Sequence, residues 1–428
     1  MVKKGYKQTE AGLIPEDWDT ITFRDCFEIL PNNTLSRAEL NYNGGKVKNI
    51  HYGDVLIKFP SVLDCSNEML PYVNPECVSK CSTMVLQDGD IIIADTAEDN
   101  TVGKATEVIG IGEQRIVSGL HTIPCRPKQK DRFADKWLGY FINHSVYHNQ
   151  LLPFITGIKV SSISKGAIAD TIIAIPEKVE QERIVAALSD MDELIFSLEK
   201  LIAKKKNIRE GAMRELLTRK KELPFMDNSE VDYRVGDIGD FYSGLTGKSK
   251  DDFGTGNAKY ITFLNVLSNS IIDISILERV NVEDGESQNA ARLGDLFFNT
   301  SSETPEEVGM CAVLLDDVRN VYLNSFCFGY RIKSKDIDPL FFSYYFNSQE
   351  GRKIMSVLAQ GATRYNLSKS YFADTVVSFP KYEKQKLIAQ ILHDMDTEIK
   401  SLQSKLEKYR QMKSGMMDEL LTGKVRLV

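Results

Sequence analysis

The ten residues SDMDELIFSL, Ser189 to Leu198, recur as HDMDTEIKSL, His393 to Leu402, after an interval of 204 residues. At this constant offset residues 175–223 and 379–427 align without a gap, and 19 of the 49 positions are identical. Self-similarity over such a length indicates duplication, and it fixes the organisation of a chain before any single motif is considered. The 428 residues are therefore interpreted as one unit of about 205 residues written twice.

The repeat extends upstream of these helical segments. TGIKVSSISKGAIADT (156–171) aligns with QGATRYNLSKSYFADT (360–375), and small gaps align DGDIIIADT (88–96) with LGDLFFNTS (293–301). Both regions hold short β-rich runs between Gly, Asn and Asp turns, with one short helix, which predicts a compact α+β domain in each copy. The predicted boundaries are 1–175 and 224–378 for the two globular domains, and 176–223 and 379–428 for the two helical spacers.

Each helical segment carries one narrow apolar stripe. Pro176 and Pro380 are expected in the first helical turn. Apolar residues then recur at steps of three and four, which is typical of a coiled-coil seam. The seam positions are Leu188, Met191, Ile195, Leu198 and Ile202 in the first copy, and Leu392, Met395, Ile399, Leu402, Leu406 and Tyr409 in the second. About 38 helical residues make a rod of about 57 Å.

A narrow stripe needs another helix to cover it, and the obvious cover is the other copy. The predicted fold class is α+β, with two similar globular domains joined by two long antiparallel helices that form a coiled coil with pseudo-two-fold symmetry. The alternative is that each helix folds back on its own domain. In the coiled coil the acids of DMD are expected to face solvent, with Met191 and Met395 buried.

Composition indicates a soluble globular protein, with 42% hydrophobic and 26% charged residues. No run of about 18 apolar residues is present and the N-terminal lysines lead into no apolar segment, so we expect a cytoplasmic protein without membrane contact. The net charge of -7 argues at first sight against a nucleic-acid partner. Charge is uneven, however: residues 1–175 sum to -3, 176–223 to +1, 224–378 to -8 and 379–428 to +3. Any DNA binding must use local patches or charge from a partner.

Metal and catalytic motifs are weak. The seven cysteines are expected to be reduced thiols, because the spacing of Cys65, Cys77, Cys81 and Cys125 is not that of paired zinc knuckles. His144 and His148 lack a third ligand, and a solvated helix face is the preferred interpretation. SGLTGKS (243–249) lacks the glycine spacing of a phosphate loop. With no clustered acid, base and nucleophile, we expect no catalytic residue, no cofactor and no metal.

A duplicated pair of unequal domains instead suggests that two short DNA sequences are read on one duplex, whose grooves repeat about every 34 Å. Arginine pairs bidentately with guanine and asparagine with adenine, while lysines neutralise phosphates. The candidate base-reading segments contribute Lys159, Ser161, Ser162 and Lys165 in the first copy, and Thr363, Arg364, Tyr365, Asn366 and Lys369 in the second. The candidate phosphate contacts are Lys46, Lys48, Lys248, Lys250 and Lys259.

Several of these segments resemble one known family, the specificity (S) subunits of type I restriction-modification systems. The resemblance is carried by GYKQTEAGLIPEDW (5–18), the spacing from Pro to Gln-x-x-Ile that opens both helices, TRYNLSKSYFADTVV (363–377) and the closing LLTGK (420–424). Two departures stand out. Arg219 occurs where the pattern has Gly, and Lys384 where it has Glu.

The resemblance implies two target-recognition domains, each reading one half of a bipartite, asymmetric site in double-stranded DNA. It also implies helices that fix the spacer and dock two modification (methyltransferase) subunits, and restriction (endonuclease and translocase) subunits that join through the complex. Chemistry would then lie in the partners, and this chain would be a non-catalytic reader and scaffold. Two alternatives are the specificity subunit of a two-subunit system with a fused nuclease-methyltransferase partner, and a protein-binding coiled-coil adaptor.

Overall fold

The computed structural model describes residues 4–81, 84–157, 159–217, 227, 229–283 and 285–428. The chain divides into two compact units. Unit 1 comprises Met1–Leu198 and Lys405–Val428, and unit 2 comprises Glu199–Ser404. The divisions fall inside the two long helices, so each unit contains a part of both. None of the helices in the described ranges combines the length and the hydrophobicity that crossing a bilayer requires.

The globular part of unit 1 is built from short strands and short helices. Its strands are β1 (Tyr6–Thr9), β2 (Gly12–Pro15), β3 (Asp19–Thr22), β4 (Phe27–Ile29), β5 (Leu40–Asn41), β6 (Lys48–Ile50), β7 (Val62–Asp64), β8 (Tyr72–Val73), β9 (Ile91–Ala94), β10 (Thr96–Ala97), β11 (Ala105–Ile109), β12 (Ile116–Ser118), β13 (Thr122–Pro127), β14 (Ser161–Ser162) and β15 (Ile172–Ile175). Its helices are α1 (Phe23–Cys26), α2 (Tyr52–Ile57), α3 (Trp137–Asn143), α4 (Ser145–His148) and α5 (Lys165–Ile168), and the first long helix α6 (Lys178–Leu217) follows.

The main sheet of unit 1 has the strand order β4-β13-β9-β11-β7, with a second sheet in the order β12-β6-β8-β5. The run IIIA of β9 is apolar throughout because both of its faces are buried. Ile91 and Ile93 pack into the core that contains Trp137 of α3. Ile92 and Ala94 pack into a second core on the other face. A continuous apolar run therefore marks a central strand here, as alternation marks a half-exposed one.

Unit 2 repeats this plan with different lengths. Its strands are β16 (Glu230–Arg234), β17 (Gly239–Ser243), β18 (Phe253–Ile261), β19 (Glu278–Val280), β20 (Leu296–Asn299), β21 (Ser301–Ser302), β22 (Cys311–Val313), β23 (Val321–Leu323), β24 (Cys327–Ile332), β25 (Ala359–Gln360), β26 (Tyr365–Leu367) and β27 (Val376–Pro380). Its helices are α7 (Val235–Ile238), α8 (Phe263–Ser268), α9 (Pro339–Asn347), α10 (Gln349–Leu358) and α11 (Lys369–Asp374), and the second long helix is α12 (Tyr382–Leu420).

The main sheet of unit 2 has the order β17-β24-β20-β22, beside smaller sheets in the orders β19-β18-β23 and β21-β26-β25. Its central strand β20 is again buried on both faces. Leu296 and Phe298 belong to the core that contains α9, and Phe297 belongs to the core on the other face. The α+β character predicted for both copies is thus confirmed.

A buried ion pair fixes the central strands in each unit. Arg126 of β13 donates from Nε and Nη2 to Asp90, at 2.8 and 2.7 Å. Arg331 of β24 makes the same two bonds to Asp295, at 2.7 and 2.6 Å. Both aspartates are only 1% exposed, so each carboxylate depends on its arginine and on backbone donors. The same Arg–Asp ion pair therefore links the central strands of the main sheet in both units.

Both long helices contribute to the core of each unit. In unit 1, Ile184 and Leu188 of α6 share a core with Leu420 and Leu421 at the other end of the chain. In unit 2 the roles are reversed. The end of α6 (Met213, Leu217) shares a core with the start of α12 (Ile388, Leu392). In each unit the start of one helix packs with the end of the other, which confirms the antiparallel pair. The alternative in which each helix packs on its own domain alone is wrong.

The shared glutamine of the repeat anchors each helix to its domain. Gln181 donates from Nε2 to the carbonyls of Arg132 and Pro176, at 3.2 and 2.9 Å, and accepts from the amide of Ala134 at 2.9 Å. Gln385 makes the equivalent three bonds. Pro176 and Pro380 do not lie in the first helical turn as expected, because α6 begins at Lys178 and α12 at Tyr382.

The opening and closing motifs of the chain meet in unit 1. The hydroxyl of Tyr6 donates to the carbonyl of Gly423 at 2.9 Å. Gly423 has a φ of +65°, and a Cβ there would lie 2.3 Å from Cγ of Pro15, so only glycine fits. The position of Arg219, which occupies the same place in the first copy, lies outside the described residues.

Glu180 explains the second departure from the family pattern. Its carboxylate accepts from Trp18 Nε1 at 3.1 Å and from Arg426 Nε at 2.7 Å, and only 3% of it is exposed. These partners come from the segments that meet in unit 1. The role of Glu180 is to bind Trp18 and Arg426, not to stabilise the helix itself. Lys384 stands at the equivalent position in the second copy.

Three expectations about side chains are wrong. Met191 and Met395 are half-buried rather than buried, and the second acids of DMD, Asp192 and Asp396, are half-buried rather than solvated. His144 and His148 do not share a solvated face. His144 is buried and caps α4, with Nε2 2.9 Å from Asp418, whereas His148 Nε2 lies 2.8 Å from the carbonyl of Val102.

The cysteines are free thiols, and all but the half-buried Cys81 are buried. Burial raises the pKa of Cys65 to about 12, so this thiol is unreactive at neutral pH. Among the described residues no three His, Cys, Asp or Glu side chains are grouped to hold a metal ion.

Candidate nucleic-acid interface

Three segments meet at one end of the main sheet in unit 1. Asp95, just past β9, donates its amide to the carbonyl of His121 at 3.1 Å. Its own carbonyl accepts from the amide of Ile163 at 2.9 Å. Beyond it, β10 pairs with β14, with Thr96 opposite Ser162. The end of β9, the corner before β13 and the hairpin that contains β14 are therefore neighbours.

Unit 2 has the same arrangement. Thr300, just past β20, donates its amide to the carbonyl of Phe326 at 3.0 Å, and its carbonyl accepts from the amide of Leu367 at 2.8 Å. Ser301 then pairs with Asn366. We call these two places the reading ends: each consists of a strand end, a corner residue (His121 or Phe326) and a hairpin (156–162 or 360–366).

The first hairpin holds most of the candidates predicted in unit 1. Lys159 is exposed at its tip, and Lys165 is exposed at the start of α5. Ser161 and Ser162 are half-buried in the pairing with β10, so their backbone has a structural role. The hydroxyl of Ser162 lies 3.5 Å from that of Thr156 across the hairpin. The structure thus brings all four residues to the reading end.

The second hairpin gathers the candidates of unit 2. Thr363, Arg364 and Asn366 are exposed and Tyr365 is half-buried. The amide of Asn366 donates to the carbonyl of Arg364 at 3.2 Å, which supports the turn. Lys369 begins α11, and its ammonium lies 5.5 Å from the centre of the Phe328 ring. Four exposed or half-exposed polar side chains therefore project from one short turn.

The predicted phosphate lysines are not gathered with the hairpins. Lys48 lies opposite Ile116 in the small sheet, whereas the corner His121 follows the other end of that sheet, at Ser118. The ammonium of Lys48 is 2.5 Å from Oε1 of Gln114, and the nearby Lys46 is exposed.

In unit 2, Lys250 and Lys259 are exposed, and Lys259 faces the exposed Arg279 on the neighbouring strand. The ammonium of Lys248 lies 2.5 Å from Glu286, with 7% of the side chain exposed. Glu286 therefore compensates the charge of Lys248 within the protein. Lys259 with Arg279 forms a small basic patch, because directly opposed residues of an antiparallel pair share one face.

The corner residues were not among the predicted sites. The Phe326 ring is 60% exposed. His121 has a φ of +54°, its Nδ1 lies 3.3 Å from Asp95, and its ring meets that of Tyr52 edge-on at 5.2 Å. An offset of 205 residues aligns HTIPCR (121–126) with FCFGYR (326–331), which gives the two corners corresponding positions but does not show that they lie beside the hairpins.

The reading ends offer hydroxyls, amides, cations and exposed rings. In unit 1 three of these groups are neighbours: the hydroxyl of Thr96 donates to Oδ1 of Asp95 at 2.8 Å and lies 3.3 Å from Nδ1 of His121. Such groups hydrogen-bond to base edges and stack on bases, which is the chemistry of binding. The backbone pairing of strand end, corner and hairpin is the same in both units, whereas the side chains that project from it differ.

The family model for the type I restriction modification DNA specificity domain matches residues 15–209 and 226–408. The chain is similar to two curated proteins of Methanocaldococcus jannaschii over 99% of its length and 97% of theirs. They are the type I restriction enzyme MjaX specificity subunit, at 25% identity, and the MjaVIII specificity subunit, at 21%.

Two solved structures share the fold, each at 14% identity. One is the type I restriction-modification S subunit from M. genitalium, with a TM-score of 0.57 over 94% of this chain and 96% of that one. The other comes from a study of the assembly and conformational transition of the type I R-M system, with a TM-score of 0.56 over 96% and 99%.

Proposed function

The chain belongs to the family of type I restriction-modification DNA specificity subunits, and on this premise we propose that its two domains read the two halves of one bipartite, asymmetric DNA site. Subunits of this family bind DNA and work with methyltransferase and restriction subunits, and they are the non-catalytic component. The finer proposal concerns how this chain divides the reading between its copies.

One observation carries the proposal: the reading ends have the same frame and different side chains. Thr96 pairs with Ser162 in unit 1, and Ser301 pairs with Asn366 in unit 2. Each hairpin is therefore paired with the equivalent strand of its own unit. Two identical readers would recognise a symmetric site, whereas two readers with one frame and different side chains suit an asymmetric one.

We propose that residues 1–175 and 224–378 are the two target-recognition domains and that 176–223 and 379–428 act as the spacer between the half-sites. The packing of α6 with α12 inside each unit supports a role for the two helices together as this spacer. Duplication also presents each helical surface twice, which fits two modification subunits, with restriction subunits joining through them.

The acidic balance of the chain fits a division of labour. Among the described residues, the exposed cations at the two hairpins and the helices that follow them are few: Lys159, Lys165, Arg364 and Lys369. Phosphate contacts supply much of the affinity for DNA, so we propose that the partners contribute most of them and that this chain contributes base contacts. The complex would act on DNA in the cytoplasm.

Domain exchange tests the proposal. Residues 18–175 would be replaced by the first domain of another specificity subunit, the complex with modification subunits assembled, and the methylated motif sequenced. We expect one half of the motif to change and the other to stay. Changes in both halves would refute the division of reading.

Two further variants separate reading from assembly. Arg364→Ala and Lys369→Ala should weaken DNA binding by the assembled complex, while co-purification with the modification subunits persists. Loss of co-purification would identify the hairpin as a protein interface instead. Insertion of equal helical turns into both long helices should widen the spacer in the motif and leave both half-sites unchanged.

A further inference from the structure

The two hairpins share their closing pair and the glycine that opens the turn. Thr156 bridges to Ser162 in the first, and Gln360 pairs with Asn366 in the second. Each turn opens with a glycine at the same place, with a φ of +115° in one and +139° in the other. A Cβ at Gly157 would lie 1.9 Å from the carbonyl oxygen of Val160, and a Cβ at Gly361 would lie 2.1 Å from that of Arg364. Val160 and Arg364 therefore occupy equivalent positions in the two hairpins, three residues after the glycine.

The side chains at this point are chemically opposed. Val160 is an apolar residue that is 50% exposed. Arg364 is exposed and makes no ion pair within the described part of the chain. The valine cannot contact a phosphate favourably, so a role for this position in DNA binding must be in the groove. A shared position with such different chemistry is suited to selecting different bases.

We infer that Val160 and Arg364 are corresponding specificity-determining residues, Val160 selecting the 5-methyl group of a thymine and Arg364 selecting the O6 and N7 acceptors of a guanine. The inference rests on the proposed function and assigns a base class to each half-site. An aliphatic side chain gains by covering the thymine methyl in the major groove, and the guanidinium fork matches guanine. Neither side chain has to move a core residue to do so, because both are exposed.

Reciprocal substitutions test the assignment. Val160→Arg and Arg364→Val would each be assembled with the modification subunits, and the methylated motif would be sequenced. Val160→Arg should change one thymine of the first half to guanine and leave the second half unchanged. Arg364→Val should relax one guanine of the second half, with a loss of discrimination of roughly 5- to 150-fold.

Two milder variants guard against failure to fold and against a simple charge effect. Arg364→Lys keeps the positive charge and loses the fork, so it should relax the guanine while retaining most non-specific affinity. Val160→Ala removes both γ-methyl groups, so it should lower the preference for thymine about 4- to 15-fold, depending on whether one or both of them cover the base. Circular dichroism and co-purification with the modification subunits confirm that the variants are folded.

The outcomes separate this inference from the proposed function. A native motif without thymine in the half assigned to residues 18–175, or without guanine in the other half, overturns the inference. So does a motif unchanged by Val160→Arg. In both cases the domain exchange would still divide the motif, and the proposed function would stand. If the exchange alters both halves, the proposed function fails.

Discussion

The Nε of Arg209 lies 2.9 Å from Oδ1 of Asp396, and the hydroxyl of Tyr344 donates to Oδ2 of the same carboxylate at 2.8 Å. In unit 2 this aspartate thus joins α6, α12 and the globular helix α9. It is the second acid of the DMD motif. The contact explains why the motif is kept where the helix passes from its domain into the seam.

The first copy repeats the contact at the offset of 204 residues. The ammonium of Lys413 lies 2.5 Å from Oδ1 of Asp192, and Tyr140 donates to Oδ2 at 2.7 Å. Burial, together with the neighbouring carboxylate, raises the pKa of Tyr140 above that of a free phenol. The phenol therefore stays protonated and remains a donor at neutral pH.

Asp396→Asn tests this contact. The substitution keeps the size of the side chain and removes its charge, so Arg209 and Tyr344 lose a charged acceptor. Because the ion pair is partly exposed, we expect the free energy of unfolding to fall by about 1–2 kcal/mol in urea titrations. Asp394→Asn, at the exposed first acid of the motif, should cost less than about 0.5 kcal/mol. Equal effects of the two variants would show that the contact adds no stability.

Gln385→Ala should be more damaging. The side chain is 0% exposed, and its Nε2 donates to the carbonyls of Asp336 and Pro380 at 2.9 and 2.8 Å. Its Oε1 accepts from the amide of Asp338 at 2.9 Å. Truncation leaves these backbone groups buried without partners, at a cost of about 2–4 kcal/mol. Urea unfolding measures the loss, and the exposed Gln390→Ala is the control. A loss below about 1 kcal/mol would mean that water replaces the amide.

Glu107 makes the stability of unit 1 depend on pH. Its carboxyl is 2% exposed and accepts from the amides of Lys136 and Gly139 at 2.7 and 2.8 Å. Burial outweighs these bonds and raises its pKa to about 7. A raised carboxyl pKa stabilises the folded state fully below the pKa of the unfolded chain, near 4.5, and this contribution is lost as the pH rises through 7.

We therefore expect the wild-type protein to lose about 2.5 kcal/mol relative to Glu107→Gln between pH 5 and 8, because glutamine does not titrate. Urea unfolding at a series of pH values gives the difference directly. Glu113→Gln, at an exposed acid of the same unit, controls for the removal of one charge. A difference between wild type and Glu107→Gln that is constant across the range would mean that Glu107 remains ionised.

The sequence was sufficient for the parts of the fold that follow from periodicity. The repeat was predicted from self-similarity at one offset, the two α+β domains from short β-rich runs between turns, and the antiparallel helices from the spacing of apolar residues. The contacts of Asp396 were not predicted, because the spacing of a coiled-coil seam considers only one neighbouring helix. In unit 2 the helix α12 also contacts α9, and Tyr344 is 52 residues away in the chain.

The candidate site shows the same limit. The hairpin residues were found because both copies carry them at one offset, and the structure places them together. Phe326 was missed because its closeness to residue 366 depends on the order of strands, which periodicity does not report. Lys248 as a phosphate contact stays a prediction. Its ion pair with Glu286 spans 38 residues, and no local pattern announces it.

Phe326 gives the sharpest test of the reading end in unit 2. Its ring is exposed beside the hairpin and contributes little to the core, so Phe326→Ala should change the free energy of unfolding by less than about 0.5 kcal/mol. If the ring stacks on a base or fills the groove, DNA binding by the assembled complex should weaken about 5- to 100-fold, measured by fluorescence anisotropy at fixed salt. Leu293→Ala is the matched control, because Leu293 is 58% exposed and comes shortly before β20, at the end of that strand opposite the reading end. It should leave DNA affinity unchanged. Equal losses from the two variants, or none from Phe326→Ala, would remove the corner from the interface and leave recognition in unit 2 to the hairpin.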